Sequence, residues 1–156
     1  MPIFNQHSIM FTPEHVDKIR AGNKRQTRRV IQPQPDADGL VFNLERKRWE
    51  NTAAVQFFCY FGRPGDRVKV RMNYYKPVTP ALELIIKNIR VERVQQIGLA
   101  DIYAEGWDGW SNHPLKLAVD VATEWYRQVW DSINGPRGYE WNSNPWVWVI
   151  DFEVVQ

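Results

Sequence analysis

A single cysteine, Cys59, is all the thiol this 156-residue chain holds, so no disulfide can form within it. Histidine is almost as scarce. His7, His15 and His113 stand far apart, and one cysteine beside them does not complete any spacing that a zinc site uses. Only carboxylates could hold a metal; neither a metal nor a cofactor is expected. Long hydrophobic runs are missing too: nothing approaches the roughly 18 apolar residues of a membrane span. The opening Met1-Pro2-Ile3-Phe4-Asn5-Gln6-His7 lacks the basic and then apolar regions of a secretory signal. The expected setting is therefore reducing and cytoplasmic, with no membrane partner. An excess of one charge is also lacking. Twenty Lys and Arg against 18 Asp and Glu leave +2, too mild to dictate a nucleic-acid partner by itself. No segment repeats.

What is present fits one globular domain. Hydrophobic residues at 44% and charged residues at 24% argue against disorder, and the length suffices to bury a core. Aromatics reach 13%, with eight Trp, which belong either in a core or on a stacking surface.

The local pattern is mixed. Thr12-Pro13-Glu14 is a helix start, with Thr as N-cap and Pro in the first turn, and Gly22 ends that helix. Residues 26–31 predict a short strand. Residues 36–61 are the least regular, with 40–44 and 54–59 as a candidate hairpin or inserted flap. After the turn Arg63-Pro64-Gly65-Asp66, the run Arg67-Val68-Lys69-Val70-Arg71 alternates as a half-buried strand does. Val68 and Val70 point in, so Arg67, Lys69 and Arg71 share the other face. Residues 82–94 predict a long strand with a break near Lys87-Asn88. Residues 100–105 form a short helix closed by Gly106. A longer helix over 114–133 places Leu117, Val121, Trp125, Tyr126, Val129 and Ile133 on one apolar face. A last strand, 146–155, puts Trp146, Trp148, Ile150, Phe152 and Val154 on one side. The order predicts an α+β fold: a small β-barrel with flanking helices.

Three features could carry chemistry. Between Lys18 and Pro35 stand six cations (Lys18, Arg20, Lys24, Arg25, Arg28, Arg29) and no acid. They suit either a solvated helix end or phosphate contact, and Arg67, Lys69 and Arg71 would extend the second. Within that run, Lys24 and Thr27 are spaced as a lysine base and a hydroxyl nucleophile could be, with Arg25, Arg28 and Arg29 lowering the lysine's pKa. Glu105 ends a helix, where an acid opposes the dipole by roughly 0.3–1 kcal/mol, which suits either a solvated residue or a functional one.

In order and spacing these motifs resemble ASCH domains. Gly22-Asn23-Lys24-Arg25-Gln26-Thr27-Arg28-Arg29 is similar to that family's G-x-K-x-x-T-x-R segment, and Gly62-Arg63-Pro64-Gly65-Asp66-Arg67-Val68 to its G-x-x-G-D turn and strand. Residues 97–106, ending Ala104-Glu105-Gly106, resemble its A-x-x-E-G helix. Trp130-Asp131-Ser132-Ile133-Asn134 and Asn144-Pro145-Trp146-Val147-Trp148-Val149-Ile150 resemble a subgroup often encoded by phages and prophages. That subgroup usually carries an acid and then Trp after its V-R pair, where this chain has Met72-Asn73-Tyr74.

The resemblance covers most of the chain outside 33–58. It implies a single PUA-like domain over residues 1–156 with an insertion at 33–58, acting on RNA or a modified nucleoside. In the small bacterial amidohydrolases of N4-acetylcytidine, the motif positions imply Thr27 as nucleophile, Lys24 as its base and Glu105 as proton donor or orienter. Arg29 would then hold substrate or an oxyanion, and Arg25, Arg28, Arg67, Lys69 and Arg71 would contact substrate or RNA. The alternatives are a non-catalytic RNA-binding module that stacks bases on Tyr74, Tyr75 or Trp107, a ribonuclease, and a phage protein-interaction module.

Overall fold

The computed structural model describes residues 7–35, 40–43, 48–51, 59–72, 76–109 and 114–156. Its strands and helices run β1 (Ser8–Met10), α1 (Pro13–Arg20), β2 (Gln26–Val30), β3 (Leu40–Asn43), β4 (Arg48–Asn51), β5 (Arg67–Arg71), β6 (Glu83–Arg93), α2 (Leu99–Ala104), α3 (Leu115–Asn134) and β7 (Trp146–Val154). Five strands form one mixed sheet in the order β1-β5-β6-β7-β2, with β1 and β5 parallel and the rest antiparallel. The fold is therefore α+β. The expected bulge is a register shift between Ile86 and Asn88, where β6 crosses β7.

The sheet is open among the described residues, and the expected barrel is not closed. Closure would need a backbone ladder between the edges β1 and β2, and none joins them. A side chain occupies that place: Arg29 on β2 donates to the Met10 carbonyl on β1 at 2.7 Å. Residues 40–43 pair with 48–51 in a separate two-stranded sheet, so the partner of that strand is not the 54–59 segment. Residues 36–39, 44–47 and 52–58 of the expected insertion lie outside the described residues.

Two cores sandwich the sheet. Ile9, Phe11, Val16, Ile19, Val68, Val70, Leu84, Ile86, Trp148, Ile150 and Phe152 build the first, which α1 covers. Val30, Val94, Ile102, Ala122, Tyr126, Trp130, Val147 and Val149 build the second, under α2 and α3. Strand β7 feeds both, which explains its unbroken run Trp146–Ile150. One-sided alternation fails there because a central strand is covered on both faces.

The buried row of α3 is Ala118, Ala122, Tyr126, Trp130 and Asn134, not the face expected from its large apolar residues. Leu117, Val121 and Ile133 remain 43%, 47% and 44% exposed. Small Ala118 and Ala122 let the helix approach the sheet, and Tyr126 and Trp130 one and two turns on fill the widening gap.

Candidate functional site

The end of α1 sets the position of Lys24. Thr12 caps the helix by accepting from the His15 amide at 3.3 Å. At the other end Gly22 takes φ +79°, and the amides of Asn23 and Lys24 both donate to the Lys18 carbonyl at 2.9 and 3.1 Å. This tight turn drives Lys24 inward just before β2 begins. Arg25 then points to solvent while its backbone is fixed at both ends. Its amide donates to Ala104 O (2.8 Å), and its carbonyl accepts from the Phe152 amide (3.0 Å). The loop is thereby docked against the end of α2.

Glu105 waits at that end. It is the C-cap of α2 and only 5% exposed. Gly106 follows at φ +108°, where a Cβ would also come within 3.1 Å of the Lys18 side chain, so glycine is required on two counts. Lys24, 3% exposed, donates from Nζ to Glu105 Oε2 at 2.6 Å and to the Glu105 carbonyl at 2.9 Å. The other carboxylate oxygen accepts from the Tyr126 hydroxyl at 3.3 Å and faces Arg28 at 3.8 Å. Burial pushes the Lys24 ammonium below its usual pKa; Glu105 pulls it back up, while Arg29 and Lys18 add to the lowering. Burial, and then Glu105, push the Tyr126 hydroxyl well up.

Strand β2 then sorts its side chains by face. Thr27 and Arg29 pair with Ile150 and Trp148 and look onto the first core; Arg28 pairs with Val149 and looks onto the second. Arg29 Nε donates to Thr27 Oγ1 at 3.1 Å. The Arg29 guanidinium lies 4.8 Å from the Phe11 ring and 5.8 Å from that of Phe61. The Phe11 ring is also 5.9 Å from Lys24 Nζ. The Phe11 ring thus lies near both Arg29 and Lys24. The Thr27–Arg29 and Lys24–Glu105 pairs are each bonded within themselves, and no hydrogen bond joins Thr27 to Lys24 or Glu105.

Sequence reasoning missed His15, Phe11 and Tyr126. His15, on α1, has its imidazole pKa lowered to about 4 by burial first, then by Lys24, Lys18 and Arg29. Only its place on the helix leading into the basic run could have flagged it. Tyr126 was visible as a core residue, and its hydroxyl partner was not.

The six cations do not form one basic surface. Arg28 is sealed among acids: it donates to Glu92 and Asp101 at 3.0 and 3.1 Å and also bonds Gln26. Arg90 and Gln26 complete that network through Glu92, Asp101 and Asp151. The expected role of Arg28 in RNA or substrate contact is therefore corrected: its guanidinium is buried and faces carboxylates. Arg67 and Lys69 are exposed and Arg71 is half-buried, with Arg67 3.6 Å from Glu83. They stand on β5, two strands away from β2's neighbour β7, and share no contact with Arg25. Trp107 is 7% exposed, too buried to stack a base; Tyr74 and Tyr75 lie outside the described residues. Outside the loop, a shallow depression of about 460 Å³ is lined by Asn23, Arg25, Tyr103, Trp107 and Asp108. Among the described residues, no three His, Cys, Asp or Glu gather as a metal site would need, and no helix is long and apolar enough to cross a membrane.

No family model matches the chain, and no curated protein does. Solved structures show partial likeness. Protein EF3133 from Enterococcus faecalis V583, of the DUF984 family, matches at 12% identity and TM-score 0.48, over 88% of this chain and 64% of that one. The chain thus spans under two thirds of that protein's length. An ASCH domain from Lactobacillus crispatus JV V101 matches at 14% identity and TM-score 0.45, over 90% and 70% of the two chains. Hypothetical protein PH0355 matches at 16% identity and TM-score 0.43, over 94% and 95%. At this level the likeness concerns the course of the backbone alone.

Proposed function

We propose that the chain hydrolyses an amide on an acylated pyrimidine nucleoside such as N4-acetylcytidine, with Thr27 as nucleophile, Lys24 as base and Glu105 as proton donor. The observation that carries this reading is the buried Lys24–Glu105 pair at 2.6 Å, whose lysine shares the Phe11 ring with the arginine that holds the Thr27 oxygen. The motif resemblance to ASCH amidohydrolases points to the same three residues.

The chemistry follows from the donors. A lysine serves as a base only when neutral, and burial favours its neutral form. Passing one proton from Lys24 to Glu105 yields an amine base and a carboxylic acid in one step, with no net charge buried. Thr27 has one O–H and two lone pairs; Arg29 occupies one lone pair and leaves the proton free to be removed. With substrate between the pairs, Thr27 Oγ1 bonds to the carbonyl carbon as its proton passes to Lys24. Lys24, now an ammonium, faces the resulting oxyanion, while Arg29 orients Thr27 Oγ1. Collapse breaks the C–N bond, the amine leaves with a proton from Glu105, and water then releases the acyl group from Thr27.

The test is the pH–rate profile of purified protein on N4-acetylcytidine. Turnover that rises with pH through an apparent pKa below the usual lysine value of about 10.4, and that disappears in Lys24→Gln, supports the reading. Wild-type protein with no turnover of acylated pyrimidines overturns it.

A second reading, a non-catalytic RNA-binding module, is favoured by the depression that exposed Arg25 shares with Tyr103, itself 39% exposed. Single-stranded RNA that binds with a steep salt dependence to protein lacking turnover would select it.

A further inference from the structure

The cations of this corner are unequally paired. Lys24 has Glu105. Lys18 donates to the Gly106 carbonyl at 2.9 Å and stands 3.6 Å from the exposed Glu14. Arg29 has only neutral oxygens: Thr27 Oγ1 on Nε and the Met10 carbonyl on one terminal nitrogen. A guanidinium carries five N–H donors in a fixed fork. Among the described residues, those left over on Arg29 meet no hydrogen-bond acceptor, the Glu105 charge acts on the guanidinium without bonding it, and the residue is half-buried. Two phenyl rings lie 4.8 and 5.8 Å from it, and with its two hydrogen bonds they position the guanidinium before any ligand arrives.

His15 feels the same cations, after burial as the first influence on it. No hydrogen bond to its side chain is recorded among the described residues, and three cations act on it. With its pKa lowered to about 4, the imidazole is neutral at pH 7 and keeps one N–H to donate. Arg29 and Lys24 both lie against the Phe11 ring, and Glu105 is hydrogen-bonded to Lys24, so the Arg29 fork is left without a bonded anion.

We propose that the open edge of Arg29, which shares the Phe11 ring with Lys24, binds an anionic oxygen group, a phosphate or a carboxylate, carried by the substrate. The inference rests on the proposed hydrolysis only in calling the ligand a substrate; the anion site itself stands on the charges. It makes the preferred ligand a charged one, such as an acylated nucleotide, over the bare nucleoside. Planar bidentate contact suits either oxyanion.

The test follows the His15 imidazole by NMR in the full chain, assigned with a His15→Asn variant, while inorganic phosphate or acetate is added at constant ionic strength. The expected result is a saturable shift of His15 with at least one of the two anions. Its pKa should also climb by about one unit or more, because a bound anion favours the charged imidazole. The tighter anion identifies the source of the group. Arg29→Gln should weaken binding at least about tenfold, as loss of a charge-assisted fork requires, whereas Arg127→Gln, on the outer face of α3, should leave it unchanged. Should Arg29→Gln fail to fold, Arg29→Lys keeps the charge, loses the fork and should still bind several-fold more weakly. Absence of a saturable response to both anions overturns the proposal, as does an equal response in the Arg29 variants. Comparing N4-acetylcytidine with its 5′-monophosphate separates the two ideas. If the hydrolysis reading alone fails, neither is turned over but His15 still responds; if the anion site alone fails, both are hydrolysed with equal kcat/KM and His15 is silent.

Discussion

Replacing Glu105 by Gln should expose how much of the fold hangs on one buried charge. Lys24 and Glu105 are 3% and 5% exposed and 2.6 Å apart, and Gln keeps the size of Glu while removing its charge. Breaking a buried pair from one side costs about 3–5 kcal/mol, because the remaining ion is stranded. Lys24 has an escape, which is to release its proton. At pH 7 that costs at most about 1.4 kcal/mol for each unit below the unfolded value of about 10.4, or roughly 4.6 kcal/mol. The two figures agree, so a loss of about 3–5 kcal/mol at pH 7 is expected.

The pH dependence has a definite sign. In the folded variant Lys24 is neutral, its pKa already being lowered by burial and no longer raised by Glu105. The unfolded chain keeps that proton up to about pH 10.4, so the unfolded state binds more protons and stability rises with pH. The deficit relative to wild type should therefore shrink by about 1.4 kcal/mol per unit, to near 2 kcal/mol at pH 9. Urea unfolding followed by tryptophan fluorescence measures this, since Trp130, Trp141 and Trp148 are buried reporters. A loss below about 1 kcal/mol, or one that does not change between pH 7 and 9, would refute the reasoning.

Other perturbations separate the parts. Tyr126→Phe removes one hydrogen bond to Glu105 and should cost about 0.5–1.5 kcal/mol in the same assay, with little change in turnover. Arg28→Ala empties a buried site but leaves Glu92 and Asp101 paired with Arg90, so it should destabilise by about 1–3 kcal/mol. Arg25→Ala should leave stability within about 0.5 kcal/mol and, if RNA binds at all, lower the salt slope of binding by about one. Gly106→Ala meets both a positive φ and the Lys18 side chain, so it should lose more than about 1 kcal/mol, seen as a lower unfolding midpoint.

The elements that sequence located best were those marked by local chemistry. Thr12 and Pro13 announce α1, the Val68–Val70 alternation announces β5, and Lys87-Asn88 marks the register shift in β6, because capping, pleat and bulge are decided by neighbours in the chain. Placement that depends on distant partners was not legible. The buried row of α3 runs through Ala118 and Ala122 because the sheet requires close approach, a demand no helical period contains. Two-sided burial of β7 was hidden for the same reason. At the site, motif spacing brought Lys24 and Glu105 to attention, and they prove to touch across 81 residues of sequence. Charge alone misled at Arg28. A run of cations reads as one surface, but alternation along β2 sends Arg28 under α2 into carboxylates and Arg29 to the other face.

The central claim is that Thr27 forms the covalent intermediate, and Thr27→Ala tests it most directly. The substitution removes a hydroxyl and a methyl and should cost roughly 1 kcal/mol in unfolding free energy. Turnover of N4-acetylcytidine by the folded variant is predicted to fall by about 10³-fold or more. Undiminished turnover in folded Thr27→Ala protein would contradict the account.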